Sequence, residues 1–281
     1  MTKILLQTTI EPVEDDWHIG RFSKLTAFLS GLPGVEVTAR DRATPQGTTD
    51  PLLGGLENSD FDQVWLFAVD TGEGLNAEEC AAIGRFRKQG GGLMVTRDHM
   101  DLGCSVCTLG GVGDAHHFHT HNIEADPDRQ CVDDVVTTDI SWPNYHSGAN
   151  GDWQTVTVAG EAHALLKDGD GVLTRLPSHP HEGAVSAPAD QPDARVIATG
   201  VSKVSGRPFN LAVAFEGEPG GAGRGLAQST FHHFADYNWD PRMGSPTFVS
   251  EAPGDAMLTD AEGLRQAQRY MANVAGWLGG A

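Results

Sequence analysis

Four short apolar runs, separated by helical segments and glycine turns, occupy the first hundred residues, and this alternation narrows the fold more than any other feature. Lys3 to Thr9 (KILLQTT) is a near-continuous apolar run, as a strand buried on both faces requires. Ile19 to Leu29 places Phe22, Leu25, Phe28 and Leu29 on one helical face, and Gly31 and Pro33 end it. Val35 to Ala39 alternates as a second strand, and Phe61 to Val69 is a third. Asn76 is a helix cap for a segment reaching about Lys88, and Gln89-Gly90-Gly91-Gly92 closes it before the strand Leu93 to Thr96. Strands that alternate with helices must pair in parallel through crossovers. The expectation is an α/β chain built on an open, mostly parallel sheet with helices on both faces. Regular structure resumes at Ala194 to Thr199, Phe209 to Phe215 and Gly225 to Thr230. The last helix is expected from about Asp260 to Leu278, with Thr259 and Glu262 as its capping box.

From Arg97 to about Glu182 the pattern changes: Gly, His, Asp and Asn dominate and long periodic runs vanish. A loop region of that length is usually functional or disordered, and its aromatic and histidine content argues for function. It reads as an irregular His-rich insertion, about 101–190, over the carboxyl ends of the strands. With 281 residues the chain suits one domain, 1–281. The formal charge of −19 repels phosphate backbones and anionic membranes, which argues against nucleic acid and membrane as partners. No segment approaches a membrane span. Cys80, Cys104, Cys107 and Cys131 form no disulfide framework, and a reducing cytoplasm is the simpler compartment. The partner expected is a small-molecule substrate, and a homo-oligomer is compatible with the sequence.

Nine of the 12 histidines fall into three groups. The first group begins with Arg97-Asp98-His99, directly after the fourth strand, where ligands bind in open parallel sheets. It continues with Asp114 to His121, in which an extended backbone would align His117, His119 and His121 on one face. Imidazoles on one face are a nitrogen-donor set for a transition metal. The second group is His179-Pro180-His181-Glu182-Gly183, and the third is His232-His233, followed by Asp236 and Asn238. For any one of these histidines a hydrogen-bonded, purely structural role is the commoner outcome; their joint arrival at strand ends is what favours chemistry. No H-E-x-x-H spacing is present.

Other features carry less. Cys104 lies five residues beyond the strand-end turn and reads as a structural thiol rather than a nucleophile. Gly90 to Gly92 lacks the Lys-Ser/Thr of a phosphate loop. Arg21 and Arg97 have the fork geometry to hold a substrate carboxylate, and either serves equally as a surface residue. His146 and Trp153, flanking the turn-rich Gly148 to Gly151, are candidates to line a small polar ligand, with Asn238 beside them.

The run Gln89-Gly90-Gly91-Gly92-Leu93-Met94-Val95-Thr96 followed by Asp98-His99 resembles the ThuA-like (trehalose-utilisation) branch of the class I glutamine amidotransferase-like superfamily. So does Gly223-Arg224-Gly225-Leu226 leading to Phe231-His232-His233. The likeness covers roughly residues 1–100 and 194–240, while RDHMDLG, HPHEG and HHFADYNWD mark a bacterial subgroup. It implies a flavodoxin-like sheet, no catalytic cysteine and, in some related proteins, sugar-related chemistry. Asp98 before the histidine, and the His-rich insertion, depart from the general pattern.

Three functions are compatible with these residues. In the first, a metal-assisted hydrolase or lyase acts on a small polar, carbohydrate-like substrate. One divalent ion (Zn, Fe or Mn) is held by His99, His181 and His233 with His117 or His119, and Glu182, Asp98 or Asp236 is the general base. In the second, a metal-free His–Asp pair performs acid–base catalysis. In the third, the chain binds a ligand without turnover.

Overall fold

The computed structural model describes residues 1–109 and 111–280. The side chains of Cys107 and Thr108 lie outside that description, and with them the Cys104–Cys107 pair. The chain forms strands β1 (Thr2–Thr8), β2 (Val35–Arg40), β3 (Gln63–Phe67), β4 (Gly92–Thr96), β5 (Thr157–Val158), β6 (Ala194–Val201), β7 (Pro208–Phe215) and β8 (Gly225–Gln228). They make one sheet of 8 strands in the order β2-β1-β3-β4-β8-β7-β6-β5. The five strands from β2 to β8 are mutually parallel, and β7, β6 and β5 extend the sheet antiparallel. The parallel part has the flavodoxin-like order, in which the first strand is flanked by the second and third.

The apolar runs divide between two cores by strand alternation. Ile4, Leu6, Trp65, Phe67 and Met94 pack on one face beneath α1 (Ser23–Ser30) and α5 (Ala261–Leu278). Leu5, Val64, Leu66, Leu93 and Val95 pack on the other beneath α2 (Ala77–Lys88). Two single helical turns, α3 (Asp236–Trp239) and α4 (Ala256–Thr259), lie between β8 and α5. Among the described residues, no helix is long and apolar enough to cross a membrane.

Cap chemistry fixes both long helices. Asn76 accepts from the Glu79 amide at 3.0 Å and Glu79 returns a bond from the Asn76 amide at 2.9 Å, closing the capping box of α2. The cap of α5 is Asp260, which accepts from the Glu262 amide at 3.0 Å; Thr259, the expected cap, ends α4 instead. A one-turn helix directly before α5 shifts the extended cap residue by one position.

The carboxyl ends of β1, β3, β4 and β8 are level, since Thr8 pairs Phe67, Phe67 pairs Thr96, and Thr96 pairs Gln228. After Thr96 the chain turns sharply rather than entering an α-helix. Met100 takes a left-handed φ of 47°, and Gly103, at φ 87°, lies so close to Ala68 that a Cβ would stand 2.7 Å from its carbonyl oxygen. The 101–190 region then makes three small two-stranded ladders, Trp153–Thr155 with Arg175–Pro177, His116–His117 with Ala184–Val185, and Lys167–Asp168 with Gly171–Val172. It is anchored where Gly183 meets β4, since a Cβ there would stand 2.4 Å from both Arg97 Nε and the Asp98 carbonyl oxygen.

Candidate active site

Two neighbouring strand ends and the insertion each deliver one group to a common point. Asp98 follows β4. His232 follows β8, in a 3₁₀ turn whose first amides are capped by Thr230 Oγ1, 3.1 Å from His232 N. The two exits are tied by a bond from Phe231 N to the Arg97 carbonyl at 2.8 Å. His179 comes from the insertion, its amide on Ser147 Oγ at 2.9 Å. All three side chains are buried. His179 Nε2 lies 3.2 Å from Asp98 Oδ1 and His232 Nε2 lies 3.4 Å from Asp98 Oδ2. The two imidazoles stack, with centroids 3.6 Å apart and planes 11° from parallel. One ligand atom from each residue can be chosen so that all three lie within 4.8 Å of one another.

The proton positions in this cluster follow from a chain of partners that starts at a backbone carbonyl. Asn238 Nδ2 donates to the Ser178 carbonyl at 2.9 Å and to Asn150 Oδ1 at 2.8 Å. Its Oδ1 must therefore face His232 Nδ1, 2.9 Å away, and that nitrogen carries the proton. Asn150 Oδ1, already accepting, likewise takes a proton from His179 Nδ1 at 2.9 Å. In the neutral rings, then, both Nε2 atoms present lone pairs to a carboxylate.

Lone pair facing lone pair in a buried site is unfavourable unless something positive lies between. A single proton shared by the three groups serves only one of the two contacts. Two imidazolium rings at the observed stacking distance would repel by about 5 kcal/mol even at an effective dielectric of about 20. Burial and the neighbouring His232 ring, opposed in part by Asp98, push His179 well below the ordinary imidazole value. Burial also opposes ionisation of Asp98, and only positive charge beside it, such as His179 or His99 in protonated form, would hold its carboxyl well below the usual range. Accordingly, His179 Nε2 and Asp98 Oδ1 are close without hydrogen-bond alignment, and neither has another partner. This donor set, two imidazole nitrogens and one carboxylate, suits Zn or Fe and leaves coordination positions open.

The cluster lines a cavity of about 390 Å³. Trp17 stands edge-on to the His232 ring at 4.6 Å. His99 and His181 line the cavity, their rings 5.4 Å apart. His181 Nε2 reaches Glu251 Oε1 at 3.1 Å and Asp134 Oδ2 at 3.3 Å. Burial depresses His99, whose Nδ1 has no partner. A larger depression of about 640 Å³ lies at the opposite, amino end of the strands, lined by glycines together with side chains such as Glu57, Asp62 and Arg224, and remote from the imidazoles.

The structure sorts the residues expected from sequence. Asp98, His99, His181 and Asn238 belong to this region. His233 points into the core: Tyr270 Oη fixes the Gln228 amide at 2.8 Å, Gln228 Nε2 donates to His233 Nδ1 at 2.9 Å, and His233 Nε2 faces Glu182 at 3.4 Å. Neither of its nitrogens is open to an ion. Glu182, fully buried, accepts from Ser147, Gln154 and Ser229, and so ties the insertion to β8. Asp236 takes the first amides of α1, from Ser23 at 3.0 Å and Lys24 at 2.7 Å. Burial raises its carboxyl. His117 uses its nitrogens on Asn122 O at 2.8 Å and Ser186 Oγ at 2.6 Å, and exposed His119 lies against Trp142. The strand that would align these two stops at His117, because the chain turns with Phe118 N on the His121 carbonyl.

The two arginines hold backbone. Arg21 donates to the carbonyls of Glu14, Asp16 and Gly244. Arg97 donates to those of Met100, His117 and Ala184, with Phe118 4.3 Å beneath its guanidinium, and burial pulls it down to about 9. His146 bonds the Pro180 carbonyl at 3.3 Å, and Trp153 stacks under Arg175 at 4.0 Å. Sequence reasoning passed over His179 and His232 in favour of their neighbours, and did not single out Asn150. The signal it lacked is the Asn partner of each imidazole, which lies far away in sequence.

No protein-family model matches the chain, and no curated protein does. Among solved structures the chain is similar to the mmIFT52 N-terminal domain, with a TM-score of 0.51 and 11% identity over 94% of this chain and 97% of that one. It is also similar to the acivicin-bound glutaminase domain of Trypanosoma brucei CTPS, at TM-score 0.48 and 15% identity over 98% and 94%. A ThuA-like protein from Parabacteroides merdae aligns at TM-score 0.45 and 15% identity over 99% and 90%. Identities this low speak to architecture and leave function to the site.

Proposed function

We propose that the chain is a metal-dependent hydrolase or lyase acting on a small polar substrate, with one divalent ion held by Asp98, His179 and His232. The observation that carries this reading is the pair of buried Nε2 atoms, on rings whose Nδ1 atoms are held by Asn150 and Asn238, that face the two oxygens of one carboxylate. Metal-ligating imidazoles ordinarily donate their far N–H to a fixed acceptor, which sets the tautomer and orients the ring. The ion would supply Lewis acidity and lower the pKa of a bound water toward about 7. His181, paired with Glu251, is the group placed to take and return a proton at its imidazole. His99, held below the ordinary imidazole value by burial, lines the pocket.

A metal-free His–Asp mechanism fits less well. There the carboxylate accepts from one ring nitrogen and the other meets the substrate. Here the far nitrogen of each ring is spent on an asparagine, so neither ring that faces Asp98 has one left for the substrate.

Elemental analysis of the purified protein should find about one equivalent of Zn, Fe or Mn per chain, as a single-ion site requires. Asp98→Asn and His232→Ala should lose it, while His117→Ala keeps it. Failure of the intact protein to bind any of these ions by calorimetry, or full metal in Asp98→Asn, would overturn the assignment.

A further inference from the structure

We propose that the substrate carries a protonated amine besides the atom that meets the metal, and that anionic substrates are disfavoured. This rests on the metal reading above and concerns the rest of the same cavity.

Asp98, His179 and His232 line the cavity. Three further carboxylates, Asp16, Asp139 and Glu251, line the same cavity, together with Trp17, Ile140, Phe248 and Val249. No Lys or Arg is among the described residues lining it. Enzymes that take phosphate or carboxylate substrates meet them with guanidinium groups, ammonium groups or the open amides of a helix start. Here the arginines beside the site, Arg21 and Arg97, are turned to backbone carbonyls. The first amides of α1 are occupied by Asp236.

The three further carboxylates differ in how far they are already engaged. Glu251 shares its charge with His181. Asp139 is exposed. Asp16 accepts the Trp17 amide at 2.7 Å, and burial raises its carboxyl above the ordinary value. A cation beside Asp16 would reverse that shift. Trp17 and Phe248 add aromatic faces that suit an ammonium group. The net charge of −19 concentrates cations around the whole molecule.

The test uses the metal-loaded protein and three matched alkyl hydroxamates, which bind divalent metals through their oxygens: one neutral, one ending in an ammonium group, one in a carboxylate. Calorimetry should rank them ammonium, neutral, carboxylate. The outer two should differ by at least about tenfold at low salt and converge in high salt. Asp139→Asn and Asp16→Asn should narrow the gap, and Asp139→Lys should invert the order. Equal affinities, tighter binding of the carboxylate, or a preference unchanged in all three variants would overturn the proposal while leaving the metal reading intact. A protein that binds no metal removes both.

Discussion

His179 and His181 are two residues apart and His232 and His233 are adjacent, yet within each pair the rings face different surroundings. His179 and His232 meet at Asp98, His181 faces Glu251 across the cavity, and His233 is sealed against Gln228 and Glu182. Sequence placed these histidines at the strand ends but held nothing to say which ring of each pair turns to the pocket. That is decided by Asn150 and Asn238, which bond to each other and to Ser178 across long stretches of chain. Replacing Asn238 by Ala leaves all three ligands in place and frees the His232 tautomer. Metal affinity should fall by about 10–100-fold, measured by competition with a chromophoric chelator. An unchanged affinity would mean that the asparagines do not set the proton positions.

Among the elements, the parallel sheet and α2 were legible because local signals agreed. The apolar runs, the Asn76 cap and the glycines after Lys88 each point to the same boundaries. What stayed hidden is how far the α2 cap reaches. Glu79 closes the capping box and also accepts from the Asp50 amide at 2.7 Å and Arg42 Nη1 at 2.8 Å, with both charged side chains fully buried. Glu79→Ala should therefore cost about 3–5 kcal/mol in urea denaturation, well beyond a lost cap, because it leaves Arg42 buried and charged with only the Gly74 and Thr48 carbonyls to face it. Asp50, beside it, gives a pH signature. Burial opposes its ionisation, but Arg40 and the amides of Ala43 and Leu53 outweigh that and lower its carboxyl. A depressed folded-state value gives stability that is present above the unfolded carboxyl's pKa of about 4 and lost as pH falls through the folded one. The stability gap between the native chain and Asp50→Asn should accordingly be widest near pH 7 and shrink as pH drops below 4.

At the scale of the whole molecule, the charge of −19 acts as self-repulsion in the compact state. Melting temperature should rise between about 10 mM and 150 mM sodium chloride as the screening length shortens from about 30 Å to 8 Å. A flat response would show that the acidic groups are locally compensated. The 101–190 insertion was recognisable as an elaboration over the site, yet its internal architecture was not. Its strands are two or three residues long, below the length at which periodicity is informative, and its order comes from side-chain bonds such as those of Glu182.

The three proposed ligands come from β4, the insertion and β8, so one ion would join segments that are several dozen residues apart along the chain. Such a staple removes loop-closure entropy from every state in which the insertion lifts away, and the longer the spanned segments the larger that effect. Chelation would then do more than stop chemistry. Amide protons around Ser147 and His179 should exchange orders of magnitude faster while those of β1 and β3 hold their protection, so that the metal sets which part of the protein opens first.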